Sequence, residues 1–328
     1  MSKICIELST EDIGKMENLA KILDIDPSID ADGFCKKAKE LSKLVPIHIK
    51  EVLLEFHKYG NENGFLLIRS LPIDCESIPN TPPNNSCKIG KTTTLAKIQA
   101  ILVSYISEII AYEAECDGQI FQDIVPVKSM SNLQTSVGSN IDLEIHTEQA
   151  FSKLKPDILS LACLRRDAGA ITYILPVKRI INGLSNEEKE LVRQPLWKTG
   201  VDLSFKINGH EFLEGDVRGP LSIINENDGD PLLTFDQDLM SGITSESDAL
   251  VSKIVDIYYK CRLEHCMTPG DIVIIDNNRA VHGRSRFFPK YDGKDRFLVR
   301  CFGIYDSTYA KTSYARDKDG RVIFAKYS

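Results

Sequence analysis

His146 and Glu148 lie two residues apart, a spacing that lets an imidazole and a carboxylate bind the same metal ion. A third ligand must then come from a distant part of the chain, and His282 is the best-placed candidate. Two histidines and one carboxylate leave about three octahedral positions open, which is typical of non-heme Fe(II) sites that activate O2. The spacing therefore predicts an Fe(II) site formed by His146, Glu148 and His282.

Two arginines follow His282 in an otherwise apolar segment. Arg296 and Arg300 are four residues apart, so the period of a β-strand would put both side chains on the same face. A buried charge without a partner is costly, and a guanidinium binds a carboxylate through two parallel hydrogen bonds. We therefore predict anionic partners for both arginines.

Residues 139–164 and 270–302 resemble the clavaminate-synthase-like oxygenases, which use Fe(II) and 2-oxoglutarate and include hydroxylases of free arginine, asparagine and lysine. Weaker agreement extends over most of the chain. The resemblance implies that His146, Glu148 and His282 bind iron. It also implies that 2-oxoglutarate and O2 are the cosubstrates.

The resemblance assigns roles to three further residues. Arg296 occupies the position that binds the far carboxylate of 2-oxoglutarate, and Thr172 matches a family threonine near this cosubstrate. Arg300 matches the arginine that binds the α-carboxylate of the amino-acid substrate. These matches imply a cosubstrate site and a substrate site beside the same metal.

Asp236 and Asp238 resemble the acidic pair that binds the guanidinium group in the arginine hydroxylases of this family. They could also form an ordinary exposed loop, because aspartate is common in loops. If the pair lies opposite Arg300, it binds the cation at the far end of a basic amino acid. We predict free L-lysine, hydroxylated at C3 or C4, with L-arginine and L-ornithine as alternatives.

Glu115 and Cys116 match the place of a polar substrate contact in the family, and Glu148 lies beside the same substrate position. Cys116 departs from the glutamine that is expected there. Two other functions remain open at this stage. The chain could hydroxylate a carrier-tethered or peptide substrate, or it could be a non-catalytic jelly-roll protein that binds iron and 2-oxoglutarate without turnover.

Each candidate residue also has an ordinary structural interpretation. His146 could be a hydrogen-bonded strand histidine and Glu148 a surface carboxylate, while Arg296 and Arg300 could pair with Asp271 or Asp276. A single motif of this kind is weak evidence. The order and spacing of the whole set of residues together favour the oxygenase.

Composition narrows the class of partner. The 328 residues are 42% hydrophobic and 27% charged, as in an ordinary globular protein, and the net charge is −7. Nucleic-acid binding is disfavoured because it depends on clustered lysine and arginine. A small-molecule amino-acid substrate is the predicted partner, and the oligomeric state is left open.

The nine cysteines form no CxxC pair, which favours reduced thiols in the cytoplasm over a zinc site or a disulfide framework. The N-terminus lacks the apolar core of a signal peptide. The most apolar segment, residues 95–112, contains too many polar residues for a membrane span. We therefore predict a cytoplasmic protein without membrane contact.

The pattern of elements predicts a mainly β fold with helices, built on a double-stranded β-helix (jelly roll). We expect a single domain, 1–328, with a helical part to about residue 115. The jelly-roll core then covers about 116–310, with a lid-like insert at about 205–245. Helices are expected at 11–23, 32–44, 47–59, 94–114 and 245–262. A hairpin is expected at 158–175, and His282 is expected on a polar loop.

Overall fold

The computed structural model describes residues 4–73, 78–202, 205, 217–227, 229–305 and 319–324. Strands and α-helices are both present throughout this part of the chain. The helices are α1 (Thr10–Ile22), α2 (Ala31–Ser42), α3 (Ile47–Tyr59), α4 (Thr94–Ile106), α5 (Val177–Gly183), α6 (Asn186–Leu191) and α7 (Ser245–Cys261). The strands are β1 (Cys5–Glu7), β2 (Phe65–Arg69), β3 (Glu108–Tyr112), β4 (Gln122–Ile124), β5 (Leu143–His146), β6 (Ile158–Arg165), β7 (Thr172–Pro176), β8 (Trp197–Gly200), β9 (Val217–Leu221), β10 (Ile224–Asn227), β11 (Asp230–Leu233), β12 (Met240–Gly242), β13 (Leu263–His265), β14 (Ile272–Asp276), β15 (Ala280–Arg284), β16 (Phe297–Ile304) and β17 (Val322–Ile323).

An eight-stranded sheet, the major sheet, forms the centre of the fold. Its order is β1-β2-β14-β6-β16-β3-β17, and β4 also pairs with β16. The central strands are apolar on both faces because both faces are covered. Leu66 and Ile68 pack in a cluster with the N-terminal helices, whereas Phe65 and Leu67 belong to a second cluster on the opposite face.

A four-stranded sheet, the minor sheet, has the order β13-β7-β15-β5. Ile174 and Ala280 share the second cluster with the inner face of the major sheet. Their neighbours Leu175 and Val281 point the other way, into a third cluster with residues of α5 and α7. Successive side chains of β7 and β15 alternate between the two faces of the minor sheet. One face therefore packs against the major sheet, and the other packs against the helices α5 and α7.

Capping residues explain where several helices begin. Ser9 and Ser185 each form a capping box at the start of α1 and α6, and Thr244 does so at α7. Helix α3 has the bounds that the sequence predicts, and it ends at Gly60 in the left-handed conformation. The prediction of a mainly β fold with helices is confirmed.

Two predicted elements were wrong. Strands β6 and β7 form no hairpin, because β6 pairs with β14 and β16 while β7 pairs with β13 and β15. The intervening turn carries the chain from one sheet to the other. The helix expected at 94–114 ends at Ile106, and Glu108–Tyr112 is a strand paired with β16. Its isoleucines suit both structures, so the apolar pattern alone could not separate them.

Two details around the site also differ from expectation. His282 lies within β15 rather than on a polar loop, and Arg296 immediately precedes β16, where the register with β6 shifts. Part of the expected insert at 205–245 lies outside the described residues. Among the helices described, none has the length and apolar character needed to cross a membrane.

Candidate active site

The paired strands β5 and β15 bring the three proposed metal ligands together. His146 lies directly opposite His282 in the register, and their ring centroids are 4.5 Å apart. Glu148 follows β5, and one ligand atom from each of the three residues lies within 4.8 Å of the others. This cluster joins residues that are far apart in the sequence.

A glycine and an asparagine set this arrangement. A Cβ atom on Gly283 would lie 2.6 Å from the carbonyl oxygen of Leu143, so only glycine lets β5 approach β15 this closely. Asn277, in the turn before β15, accepts a hydrogen bond from the backbone N–H of Glu148 at 2.7 Å. Its amide nitrogen also donates to the Glu148 carbonyl, which fixes the backbone of this ligand from both sides.

The donor set fits a divalent transition metal. Nδ1 of His146 lies 2.8 Å from the carbonyl oxygen of Glu144, an arrangement in which Nδ1 carries the proton and Nε2 is left as the ligand. Nε2 of His282 is 3.3 Å from Oε1 of Glu148. Adjacent octahedral ligands at about 2.1 Å from a metal are about 3 Å apart, so this separation is suitable. Nδ1 of His282 is buried and has no hydrogen-bond partner among the described residues.

The electrostatics keep these ligands in the protonation states that a metal requires. Burial lowers the pKa of His282, and the neighbouring His146 lowers it further, which favours the neutral imidazole. Burial alone would raise the pKa of Glu148. The charge of Arg300 and a hydrogen bond from His282 outweigh that effect and hold the pKa of Glu148 below its ordinary value.

Arg300 lies on β16 beside the metal ligands, in a network of polar side chains. Its Nη1 is 3.3 Å from both carboxylate oxygens of Glu148, and its Nη2 donates to Oε2 of Glu115 at 2.5 Å. Its Nε donates to Oε1 of Gln122 at 2.8 Å. Burial raises the pKa of Glu115 despite the opposing charge of Arg300. The predicted anionic partners of Arg300 are therefore Glu148 and Glu115, and not Asp271 or Asp276.

Asp236 reaches the site through backbone pairing with β5. It forms an isolated β-bridge with His146, and the N–H of Leu239 donates to its Oδ1 at 2.7 Å. Burial raises the pKa of Asp236, and the interaction with His146 opposes the effect. Asp238 is exposed on the same segment. The two predicted acidic residues thus differ in environment although both face one cavity.

Asp202 is a further acidic residue that lines the cavity, and no sequence pattern singles it out. Burial raises the pKa of its carboxyl well above the ordinary value, and the charges of Asp236 and Glu115 add to the effect. No motif surrounds Asp202, so only its position in the fold reveals its proximity to Asp236.

These residues line a cavity of about 480 Å³. Metal ligands, the Arg300 network and the acidic residues all contribute to its wall. The polar residues of the lining that matter here are Glu115, Cys116, Gln122, His146, Glu148, Asp202, Asp236, Asp238 and Arg300. Burial raises the pKa of the Cys116 thiol to about 11, so this side chain is a neutral part of the wall.

Arg296 and Thr172 are buried but do not line this cavity. Arg296 forms no ion pair with any described residue, and burial lowers its pKa to about 10. Asp271 and Asp276, which the sequence suggested as alternative partners of Arg296, form ion pairs with other arginines. Asp271 pairs with Arg69 and Asp276 pairs with Arg279. Arg296 is therefore a buried guanidinium that forms no ion pair within the described residues, a costly arrangement unless an anion is supplied.

Comparison with known proteins agrees with this geometry. The family described as Taurine catabolism dioxygenase TauD, TfdA family matches residues 114–302, a segment that contains the whole metal cluster, Arg296 and Arg300. The chain belongs to this dioxygenase family. The matched segment begins just before Glu115 and ends within β16, so it spans the strands that form the site.

Individual relatives of this TauD/TfdA family member are amino-acid oxygenases. L-lysine 3-hydroxylase of Catenulispora acidiphila is 40% identical, over 98% of this chain and 89% of the relative. L-asparagine oxygenase of Streptomyces coelicolor is 29% identical, over 85% of this chain and 82% of the relative. A solved structure of asparagine oxygenase with Fe(II), 3-hydroxyasparagine and succinate has a TM-score of 0.90 at 26% identity, covering 98% of this chain and 99% of that one.

Proposed function

We propose that this protein is an Fe(II)/2-oxoglutarate-dependent dioxygenase that hydroxylates C3 of free L-lysine. One observation carries the proposal. Arg300 and the acidic residues Asp202, Asp236 and Asp238 line the same cavity as two of the metal ligands, His146 and Glu148. A cation and a group of acids in one cavity suit a substrate with a carboxylate at one end and an ammonium group at the other.

In this proposal His146, Glu148 and His282 hold Fe(II), and Arg296 holds the distal carboxylate of 2-oxoglutarate with Thr172 nearby. When bound, iron and 2-oxoglutarate supply the oxidant that converts a C–H bond to C–OH, using O2 and yielding succinate and CO2. The role of the protein is ligation and orientation. No nucleophile or general base is needed from the cysteines or serines.

The side chains of the cavity orient the substrate. Arg300 binds the α-carboxylate of lysine, while Glu115 and the Gln122 side-chain oxygen accept hydrogen bonds from the α-ammonium group. Glu115 and Gln122 already contact Arg300, so the α-carbon is held beside the metal ligand Glu148. The ε-ammonium group extends to Asp202, Asp236 and Asp238. Holding both ends fixes which carbon lies nearest the metal.

The relatives favour lysine and C3 over the alternatives. The relative at 40% identity is an L-lysine 3-hydroxylase, whereas the L-lysine 4-hydroxylases of two Flavobacterium species and Niastella koreensis are 22–24% identical. An L-ornithine/L-arginine 3-hydroxylase is 23% identical. The set of carboxylates is consistent with any of these cationic amino acids, so the proposal of lysine and of C3 is supported by the relatives and not by the carboxylates.

We further propose that the two sheets form a jelly roll within a single domain, 1–328. The shared cluster between their inner faces supports this architecture. A cytoplasmic location is supported by the seven cysteines of the described chain that carry free thiols, since such thiols persist in a reducing compartment.

Isotope-labelled lysine tests the proposal. The enzyme is incubated with Fe(II), ascorbate, 2-oxoglutarate and lysine carrying two deuterium atoms at C3 or at C4, and products are examined by mass spectrometry. We expect one added oxygen, with one deuterium lost only from the C3-labelled substrate. Loss from C4 would reassign the position, and absence of product from every basic amino acid would contradict the proposal. Lysine amide should not react, because Arg300 requires a free carboxylate.

A further inference from the structure

Arg284 is a second buried arginine that forms no ion pair with any described residue, although the charge of Asp142 acts on it from a distance. Arg284 and Arg296 are 4% and 6% exposed, and within the described parts of the chain neither forms an ion pair. Their guanidinium carbons lie 4.9 and 5.9 Å from the centroid of the Phe287 ring. Two like charges beside one aromatic ring, both removed from water, are costly unless an anion joins them.

The register of the minor sheet shows where Arg284 points. It lies two residues after His282 on β15, so both side chains are on the same face of the sheet. Thr172 of β7 is directly opposite Arg284. Positions two apart on a strand are separated by roughly 6.6 Å, which places Arg284 one such step from the metal ligand.

The dimensions of 2-oxoglutarate match this step. Its keto carbon and its distal carboxylate carbon are joined by three carbon–carbon bonds, a span of roughly 4 Å. A molecule held at the metal by its keto end and lying along this face of the minor sheet would reach the region of Arg284, Thr172 and Arg296. Two arginines can bind the two oxygens of one carboxylate.

We infer that Arg284 is a second cosubstrate-binding residue that, with Arg296, holds the distal carboxylate of 2-oxoglutarate; this rests on the proposed function. Arg284 is well oriented for this role. Its Nε donates to the Ser285 carbonyl at 3.2 Å and its Nη1 donates to the Ser136 carbonyl at 3.1 Å. Those bonds fix the guanidinium plane, and the remaining N–H groups are available to the carboxylate. The pair would select dicarboxylic over monocarboxylic 2-oxo acids.

A purely structural role is the alternative, because the bond from Arg284 to Ser136 also supports the loop that lines the substrate cavity. The two roles differ in what they predict for different ligands. A binding role concerns only ligands that possess the distal carboxylate. A structural role would affect every ligand of the site, including the metal.

Paired ligands test the inference. Binding of 2-oxoglutarate and of 2-oxopentanoate, which has a methyl group in place of the distal carboxylate, is measured by calorimetry on the Mn(II)-loaded enzyme without O2. We expect Arg284→Met to weaken 2-oxoglutarate by about 10- to 100-fold, the range for a hydrogen bond to a charged group, and to leave 2-oxopentanoate unchanged. Arg284→Lys, which keeps the charge but loses the planar fork, should weaken 2-oxoglutarate less.

Controls separate the possible failures. Arg193→Met removes an arginine that pairs with Glu226 near the surface, and it should change neither ligand. Equal weakening of both 2-oxo acids, or loss of Mn(II) affinity, would show that Arg284 is structural and overturn the inference. Should the Met variant fail to fold, the Lys variant tests the inference by the same comparison, the loss of affinity for 2-oxoglutarate relative to that for 2-oxopentanoate. Failure of the wild-type enzyme to bind 2-oxoglutarate would instead overturn the proposed function and this inference with it.

Discussion

The two ends of the cavity are built differently. At the metal end, His146, His282 and Arg300 are all on paired strands, and Glu148 is fixed by the side chain of Asn277. At the acidic end, Asp236 depends on one isolated bridge and a turn, and the segments that bear the acids are irregular. In the proposed function, the residues that hold the metal therefore lie on the sheets or are fixed by them. The residues that recognise the substrate side chain lie on connecting segments.

The charges differ in the same way. At the metal end the cation Arg300 is balanced by Glu148 and Glu115. At the acidic end burial raises the pKa of both Asp202 and Asp236, and no cationic side chain of the described residues forms an ion pair with either. A cationic substrate group would lower these pKa values by supplying the missing charge. In the proposed function, the ε-ammonium group of the substrate supplies the positive charge that the described residues of this end do not.

Removal of one ligand should have the largest effect. His282→Ala deletes one of the three proposed metal ligands while the surrounding strands remain paired. We expect no detectable succinate formation and a large loss of Fe(II) affinity, with little change in the circular dichroism spectrum. Metal titration and a coupled succinate assay provide the measurements. Normal turnover in this variant would rule out the assignment of the ligands.

A backbone change should damage the metal end without altering any ligand. Gly283→Ala places a Cβ 2.6 Å from the Leu143 carbonyl oxygen, so β5 and His146 must shift. Such overpacking costs about 1–3 kcal/mol, and we expect weaker Fe(II) binding as well as a lower melting temperature. Gly14→Ala is the control, since nothing lies within 4 Å of that Cβ and alanine favours the helix. Equal behaviour of the two variants would contradict the close-approach argument.

Lys155 forms hydrogen bonds near both ends of the cavity. Its replacement should have the smallest effect of the changes considered, and that effect is on stability. Its Nζ donates to the carbonyls of Leu233, just before the acidic segment, and Asn277, which holds Glu148. Burial lowers its pKa to about 8 from 10.5, so the unfolded chain binds more protons between these pH values. Stability that Lys155 contributes should therefore rise as pH increases through this window.

The comparison variant is Lys155→Met, which cannot titrate. Urea unfolding at pH 7.5 and pH 10 should show the free energy of unfolding of the wild type increasing relative to that of Lys155→Met. Parallel values at both pH values would mean that the Lys155 pKa is ordinary. Subtracting the two proteins removes the contributions of the other lysines and cysteines.

Local patterns in the sequence were sufficient to predict much of the fold. Apolar spacing identified most of the long helices, and the segment 158–175 was correctly expected to contain two strands, β6 and β7. The pairing of these strands was not accessible. Because β6 is buried on both faces, its pattern carries no information about which sheet it joins, and the expected hairpin with β7 was wrong.

The residues of the candidate site also fall into those that a sequence motif could identify and those that it could not. His146, Glu148 and Arg300 were selected because a motif surrounds them, and the structure places them on one cavity. Asp202, Gln122 and Arg284 belong to no motif, and only three-dimensional proximity connects them to the site. Residues whose role depends on a distant partner cannot be found from local spacing.

The central claim is that opposite ends of one cavity bind opposite ends of the substrate, and three matched ligands test it directly. Norleucine is lysine without the ε-ammonium group, and cadaverine is lysine without the α-carboxylate. Binding of all three is measured by calorimetry on wild type, on Asp236→Asn/Asp238→Asn and on Arg300→Met.

We expect the wild type to prefer lysine to both analogues. The double aspartate variant should lose about 2–5 kcal/mol of lysine affinity and distinguish lysine from norleucine less well than the wild type does, because Asp202 alone of the three acidic residues remains. It should bind 2-oxoglutarate normally. Arg300→Met should instead lose the distinction between lysine and cadaverine. If the aspartate variant still preferred lysine to norleucine as strongly as the wild type does, the acidic residues would not bind the substrate cation and the central claim would be contradicted.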